Sequence, residues 1–424
     1  MLLKTATLGC KVNQYETQFV REALRRIGYR DVTPSETADL VVVNTCTVTA
    51  ESDLKSRKLI RRLAKLNPLA EMIVMGCYAT RAADEIRQLP QVVEVVTDKR
   101  DIPAFLERRG VTDVSDGITS FALRHRAYVK VQDGCRVGCS YCIIPKVRPN
   151  LLSRPVGEVL DEIRRLVDSG YREIVLAGIH LGHYGIDFDT QTGQKLRPAG
   201  NIRLSQLVER IVQLDGEFLV RVSSMEAVEV SDELIDLIRA FPKKLCPHLH
   251  LSMQSGSDEV LRRMRRRWLS GPFRDRCEQI KAAIDRVALT TDVIVGFPGE
   301  TERQFAETCD MVEQIGFSKV HVFPFSPRDG TEAAVMPNQI PASEKERRVA
   351  HLMRIAERLR ANFAAEQIGQ TVQVLFETQQ NGTLIGTSDR YLRTRVTASD
   401  FVDCDTLVDV FVTASDGEEI AAIL

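Results

Sequence analysis

Three apolar runs, each closing on a cysteine, constrain this chain more than any other feature: Lys4-Thr5-Ala6-Thr7-Leu8-Gly9-Cys10, Leu40-Val41-Val42-Val43-Asn44-Thr45-Cys46 and Met72-Ile73-Val74-Met75-Gly76-Cys77. The cysteines are 36 and 31 residues apart, about the length of a strand, a crossover helix and the next strand. If the runs are neighbouring parallel strands, three thiols gather beyond the carboxyl ends of one sheet, where open α/β sheets bind ligands. Helices are expected at 14–27, stopped by Gly28, and at 52–66, stopped by Asn67-Pro68. A further strand at Val92–Val96 completes a unit over residues 1–110, followed by a connector at 101–120.

A second α/β region runs from about Ala127 to 340, with strands expected at 127–131, 173–177, 218–223, 248–254, 291–295 and 318–323. Six strand–helix units point to a parallel barrel or partial barrel. In His248-Leu249-His250-Leu251-Ser252-Met253-Gln254 the even positions are polar and the odd ones apolar, so His248, His250, Ser252 and Gln254 would line the interior. A wet, hydrogen-bonding interior is that of a reaction chamber. From 370 the period changes to two, with strands expected at Thr371–Thr378, Leu384–Thr387, Tyr391–Ala398 and Leu407–Ala414, a small antiparallel barrel.

At 424 residues the chain has room for two or three domains, and no run approaches the ~18 apolar residues a membrane span needs. The N-terminus carries no signal-peptide pattern, which implies a cytoplasmic protein. Six of the ten cysteines fall in two compact sets, a metal-binding or catalytic pattern in a reducing compartment. Cys246, Cys277, Cys309 and Cys404 lack partners and read as buried small residues. A net charge of −1 argues against a nucleic-acid coat, yet residues 55–65 and 262–267 are locally basic, either as solvated helix faces or as phosphate footprints.

The second set follows the first barrel strand: Gln132-Asp133-Gly134-Cys135-Arg136-Val137-Gly138-Cys139-Ser140-Tyr141-Cys142. Three thiolates on a glycine-bearing loop can wrap one face of a cube-shaped cluster and leave one iron open. A structural zinc would need a fourth ligand from elsewhere. With Tyr141 before its last cysteine, this C-x₃-C-x₂-C run resembles the radical S-adenosylmethionine (SAM) superfamily, in which SAM chelates the open iron.

The resemblance extends over nearly the whole chain. Thr7–Thr17, Val43-Asn44-Thr45-Cys46-Thr47-Val48 and Gly76-Cys77-Tyr78-Ala79 resemble the N-terminal motifs of the methylthiotransferase family, in a form nearest its MtaB-type branch, which acts on threonylcarbamoyladenosine in tRNA. Leu251–Ser257 and Asp292–Thr301 resemble its later barrel motifs, and 370–424 its TRAM domain, a small RNA-binding barrel. The family implies an α/β fold of three domains: 1–110 with an auxiliary cluster, 121–368 as a (β/α)6 partial TIM-like radical SAM barrel, and 369–424 as TRAM. It further implies two four-iron four-sulfur (4Fe-4S) clusters, one on Cys135, Cys139 and Cys142, the other on Cys10, Cys46 and Cys77. SAM would serve as both methyl donor and radical source, for insertion of a methylthio group at C2 of the adenosine at position 37, beside the anticodon.

By the same resemblance Tyr141, Gly178, Ser224, Glu226, Gln254 and Asp292 are expected to bind SAM, and Arg148, Arg154, Arg390, Arg393 and Arg395 to contact RNA. The implied partners are a tRNA anticodon stem-loop, an electron donor such as flavodoxin or ferredoxin, and a sulfur source. Rival readings keep the chemistry but move it to isopentenyladenosine or to an aspartate of a ribosomal protein; another is a non-catalytic iron–sulfur RNA sensor. Two features depart from the family pattern. Pro149 stands where a glycine is usual after the basic loop's arginine, and from 368 onward three arginines face nine acidic residues.

Overall fold

A computed structural model describes residues 1–114, 116–122, 124–188, 202–397 and 402–424. The N-terminal strands Leu2–Thr7, Leu40–Thr45, Glu71–Gly76 and Val92–Val95, with a short edge strand at Arg30–Asp31, form a five-stranded, all-parallel sheet. Val41, Val42 and Val43 are fully buried because helices cover both faces, which is why this run is continuously apolar rather than alternating. The helix Lys11–Arg26 starts at once after Cys10, earlier than the periodicity indicates. The helix Ala50–Leu66 is capped by Thr49, whose hydroxyl accepts from the Ser52 amide at 3.1 Å, and Glu51 and Asp53 lie in its first turn.

The central strands are Ala127–Asp133, Glu173–Gly178, Leu219–Val222, His248–Leu251, Ala288–Val295 and Lys319–Pro324. The third continues after Ser223 as Ser224–Met225, which pairs with the next strand, so one bent strand joins two parallel halves into a partial barrel. The expected polar face is in place: His250 pairs with Thr290, and Asp292 with His321. The helix Glu302–Ile315 closes this architecture with a Thr301–Gln304 capping box and a left-handed Gly316.

The C-terminal strands close into a five-stranded, TRAM-like barrel rather than the four strands expected, because Glu419–Ile423 adds a fifth. One of its ladders, Arg393–Val396 against Glu419–Ala422, is parallel. An odd number of strands cannot alternate direction around a closed ring, so one such pair is unavoidable. The third strand is Arg393–Thr397, shorter at its start than expected, and Ala398 lies outside the described residues.

Arg221 fastens this barrel to the central one. Its Nε donates to Glu173 at 2.7 Å, and its Nη atoms donate to the Asp389 and Ser388 carbonyls at 2.9 and 3.1 Å. Its guanidinium also covers the ring of Tyr391, and that ring stacks on His248 at 4.9 Å. Arg221→Ala would strand a fully buried Glu173 carboxylate with Arg126 alone and orphan two carbonyls. Removing one partner of a buried pair costs about 3–5 kcal/mol. Arg221→Ala should therefore lower the unfolding temperature and open the chain near Gly369 to protease; unchanged protection would show that other contacts hold the barrel.

Candidate functional site

The carboxyl ends of the N-terminal strands bring the first cysteine trio together. Thr45 pairs with Gly76, so Cys46 and Cys77, one residue further on, are neighbours at the sheet edge. Gly76 has φ +99°, and a side chain there would strike the Asn44 amide and the Thr45 backbone. A β-carbon on Gly9 would stand 3.3 Å from Cys46 Sγ, which places the Cys10 turn directly over Cys46. Asn13 holds that turn down: its Nδ2 donates to the Leu8 and Thr45 carbonyls at 2.9 and 3.0 Å. Cys46 and Cys77 are buried and Cys10 is exposed.

The second trio lies at the mouth of the central barrel. Cys135, Cys139 and Cys142 line one cavity of about 140 Å³ together with Tyr141 and Ile144. Burial pushes the Cys142 thiol up to about 12, and a bound metal would displace that proton. A tetrahedral zinc would draw its thiolates to roughly 3.8 Å from one another. Among the described residues, the groups whose ligand atoms all close within 4.8 Å are His180–His183–Glu229 and His250–Asp292–His321, and neither cysteine trio is among them. The three barrel-mouth thiols ring one cavity, and with each trio spaced wider than a single ion allows, the donor sets fit a cluster.

Of the residues expected to bind SAM, Tyr141, Ser224, Glu226 and Gln254 line this cavity. Ser224 shares a 3.1 Å hydrogen bond with Ser252 on the facing strand. Gln254 takes φ +66°, a left-handed turn at its strand's end, and its amide donates to the Asp292 carbonyl at 2.9 Å. Gly178 does not line the cavity; a β-carbon there would meet Leu181 at 2.7 Å, so its smallness serves packing. Asp292 does not line it either and faces the barrel interior beside His250, at 3.3 Å.

Two residues at the site were missed by sequence reasoning. Arg266, within the basic run, is buried and donates to Cys139 Sγ at 3.4 Å and to the Ser252 carbonyl at 3.2 Å, while pairing with Glu226 at 3.1 Å. Its neighbours Arg262 and Arg265 are indeed surface residues, paired with Asp258 and Glu332, so the run resembles a footprint and conceals one site residue. His180 places Nδ1 3.6 Å from Cys135 Sγ and Nε2 2.7 Å from Glu229. Burial opposes its charge, but Cys135 and Glu229 raise its pKa to about 9; burial and His180 together push the stacked His183 down to about 4. The only sequence signal for His180 was its place just after a strand end.

Arg148 and Arg154, expected to contact RNA, are both engaged by groups within the protein, Arg148 buried and Arg154 partly buried. Arg148 is 3 % exposed, and its guanidinium donates to Glu16 and Asp133 at 2.8 Å, to Asn13 Oδ1 at 2.9 Å and to Cys77 Sγ at 3.3 Å. Its carbonyl meanwhile accepts from the Cys135 amide at 3.1 Å, so one residue touches both trios. Arg154 is held by Glu162 and Tyr15. Arg390, Arg393 and Arg395 pair with Asp389, Glu419 and Asp416, so the acidic C-terminal barrel neutralises its own arginines. Cys246, Cys277 and Cys309 are buried as expected, whereas Cys404 is partly exposed.

A partial parallel barrel with a cysteine trio at its mouth defines the class: the radical SAM superfamily model matches residues 129–312, and the uncharacterized protein family UPF0004 model matches 3–98. Such an enzyme uses SAM and iron–sulfur chemistry. The chain is 38% identical over 409 residues to the threonylcarbamoyladenosine tRNA methylthiotransferase MtaB of Bacillus subtilis, covering 91% of this chain and 88% of that protein. It is 37% identical to the MtaB of Chlamydia pneumoniae, covering 96% and 94%. Against the tRNA-2-methylthio-N(6)-dimethylallyladenosine synthase of Aquifex aeolicus the identity is 32%, covering 90% and 89%. The chain belongs to the MtaB-type radical SAM methylthiotransferase family. The fold is shared with the radical SAM methyltransferase TsrM of Kitasatospora setae, at a TM-score of 0.54 and 14% identity, over 79% of this chain and 75% of that one.

Proposed function

We propose that this enzyme inserts a methylthio group at C2 of N6-threonylcarbamoyladenosine at position 37, next to the anticodon of tRNA. The observation that supports the reading is Arg148, which ties Cys77 to Cys135 and so holds the two cysteine trios side by side. Cys135, Cys139 and Cys142 would hold one 4Fe-4S cluster and Cys10, Cys46 and Cys77 a second. When bound, the first would supply one-electron cleavage of SAM, and the second would supply the sulfur and methyl for transfer. Glu226, Ser224 and Gln254 then orient SAM in the barrel mouth, Arg266 neutralises Glu226, and partly buried Tyr141 and buried Phe297, whose rings meet edge to face, exclude water below it.

Backbone phosphates of the RNA have a landing face on the helix Ala50–Leu66. Lys58, Arg61, Arg62 and Lys65 are exposed there and, among the described residues, make no ion pair. A flavodoxin or ferredoxin as reductant, a sulfur source, a cytoplasmic location and division at 1–110, 121–368 and 369–424 complete the proposal. No described helix is long and apolar enough to cross a membrane. Mass spectrometry of tRNA nucleosides from cells lacking the gene tests it. The methylthio form of threonylcarbamoyladenosine should disappear and return on complementation; loss of the dimethylallyl form instead would move the target.

A further inference from the structure

Deeper than the SAM-side cavity, the barrel's inward face carries a second polar cluster. His250 precedes Ser252 by two residues on the same face of its strand, about 7 Å further into the lumen. Its Nε2 stands 3.3 Å from Asp292 Oδ2, its Nδ1 3.0 Å from Thr290 Oγ1, and its ring 6.0 Å from that of His321. One atom each from His250, Asp292 and His321 lie within 4.8 Å of one another, and all three side chains are partly open to the lumen. The strand register produces this: Thr290 pairs with Lys319 and Asp292 with His321, so all four point the same way.

Two histidines and a carboxylate are also a common cation site. The lysines around them decide against that. Lys11, first residue of the helix after Cys10, acts electrostatically on Asp292, His248 and His321, and Lys319 also acts on His321. Among the described residues neither lysine has an ion-pair partner. Two ammonium groups against one carboxylate leave positive charge in a confined space, which a divalent ion would increase and an anion relieves.

We propose that Lys11, His250 and His321 form a subsite for a carboxylate carried on the N6 arm of the substrate adenine, with Asp292 accepting the hydroxyl beside it. The inference rests on the proposed substrate, whose threonyl arm bears one carboxylate and one hydroxyl. A dimethylallyl arm bears neither and would leave Lys11, partly buried, without a partner, so the subsite rejects it as well as attracting the acid.

The test uses the full-length, cluster-loaded enzyme and anticodon stem-loop RNAs with threonylcarbamoyl, its methyl ester or dimethylallyl on N6. Binding is read by fluorescence anisotropy, and kcat and KM are measured separately. The unmutated enzyme should bind the acid about tenfold or more tighter than the ester. Lys11→Met should bring that ratio close to one with the ester's affinity unchanged. Because Lys11 adjoins Cys10, His321→Gln, on the strand Lys319–Pro324 that carries no cysteine, provides a second variant with the same expected loss. A ratio preserved in both variants overturns the subsite, as does zinc or ferrous ion binding one to one and lost in His321→Gln. Should the unmutated enzyme favour the dimethylallyl RNA, the substrate reading itself fails, a result distinct from a preserved acid preference in the variants.

Discussion

Anaerobically reconstituted enzyme is expected to hold about eight irons per chain, and replacing Cys10, Cys46 and Cys77 with alanine to leave about four. That variant should still cleave SAM, because Cys135, Cys139 and Cys142 sit in a separate loop at the barrel mouth. It should form no methylthio product, since the sulfur-bearing site is gone. The converse triple variant, at Cys135, Cys139 and Cys142, should also keep about four irons but lose SAM cleavage entirely. The asymmetry follows from where each trio is built. One rests on sheet-edge turns held by Asn13 and Gly76, the other on a loop beside Ser224, Gln254 and Arg266. Iron and acid-labile sulfide analysis, with SAM cleavage followed by chromatography, checks both. Unmutated enzyme with only about four irons would falsify the two-cluster proposal.

Arg148→Ala should be the most damaging single substitution outside the cysteines. Glu16, Asp133, Arg148 and Lys130 form a buried quartet of zero net charge, with Lys130 2.8 Å from Glu16 and 2.6 Å from Asp133. Removing the guanidinium leaves two carboxylates and one ammonium out of water, a cost of about 3–5 kcal/mol. Arg148→Lys should not rescue it, because an ammonium cannot span Glu16, Asp133, Asn13 and Cys77 at once. The expected readouts are a lower unfolding temperature and loss of iron from the N-terminal trio ahead of the barrel trio.

The same quartet gives an acid limb with a defined sign. Burial raises the Glu16 pKa, but Arg148 and Lys130 outweigh it and lower the group from its usual 4.5 to about 2. A depressed carboxylate stabilises the fold above its unfolded pKa, and that contribution fades as pH falls from about 4.5 toward about 2. In Arg148→Ala this part of the acid dependence should shrink. Thermal unfolding across that range measures it; an unaltered acid limb would place the docking energy elsewhere, Arg328 against Asp53 at 2.6 Å and Tyr15 against Glu162 at 2.9 Å being further buried ties.

Several features could be read along the chain because they depend on local pattern. The alternation in His248–Gln254 set which side chains face inward, the end of the helix Ala50–Leu66 followed from Asn67-Pro68, and strand-end cysteines at crossover spacing pointed to one sheet edge. Even the position of Cys77 beside Cys46 needs only parallel order and register.

What the chain's order could not convey was the use made of its arginines. Arg148, Arg154, Arg266 and Arg393 look alike in a linear reading, each in a basic or polar stretch. Folding withdraws the first three against carboxylates, that of Arg154 only 8 residues away and that of Arg148 132 residues away, and leaves the fourth on the surface facing Glu419. Periodicity and spacing report backbone geometry, which neighbours in sequence control. Whether a charge is solvated or buried depends on the partners that tertiary packing brings to it, and here that packing makes one arginine, Arg148, the strut between two cysteine trios.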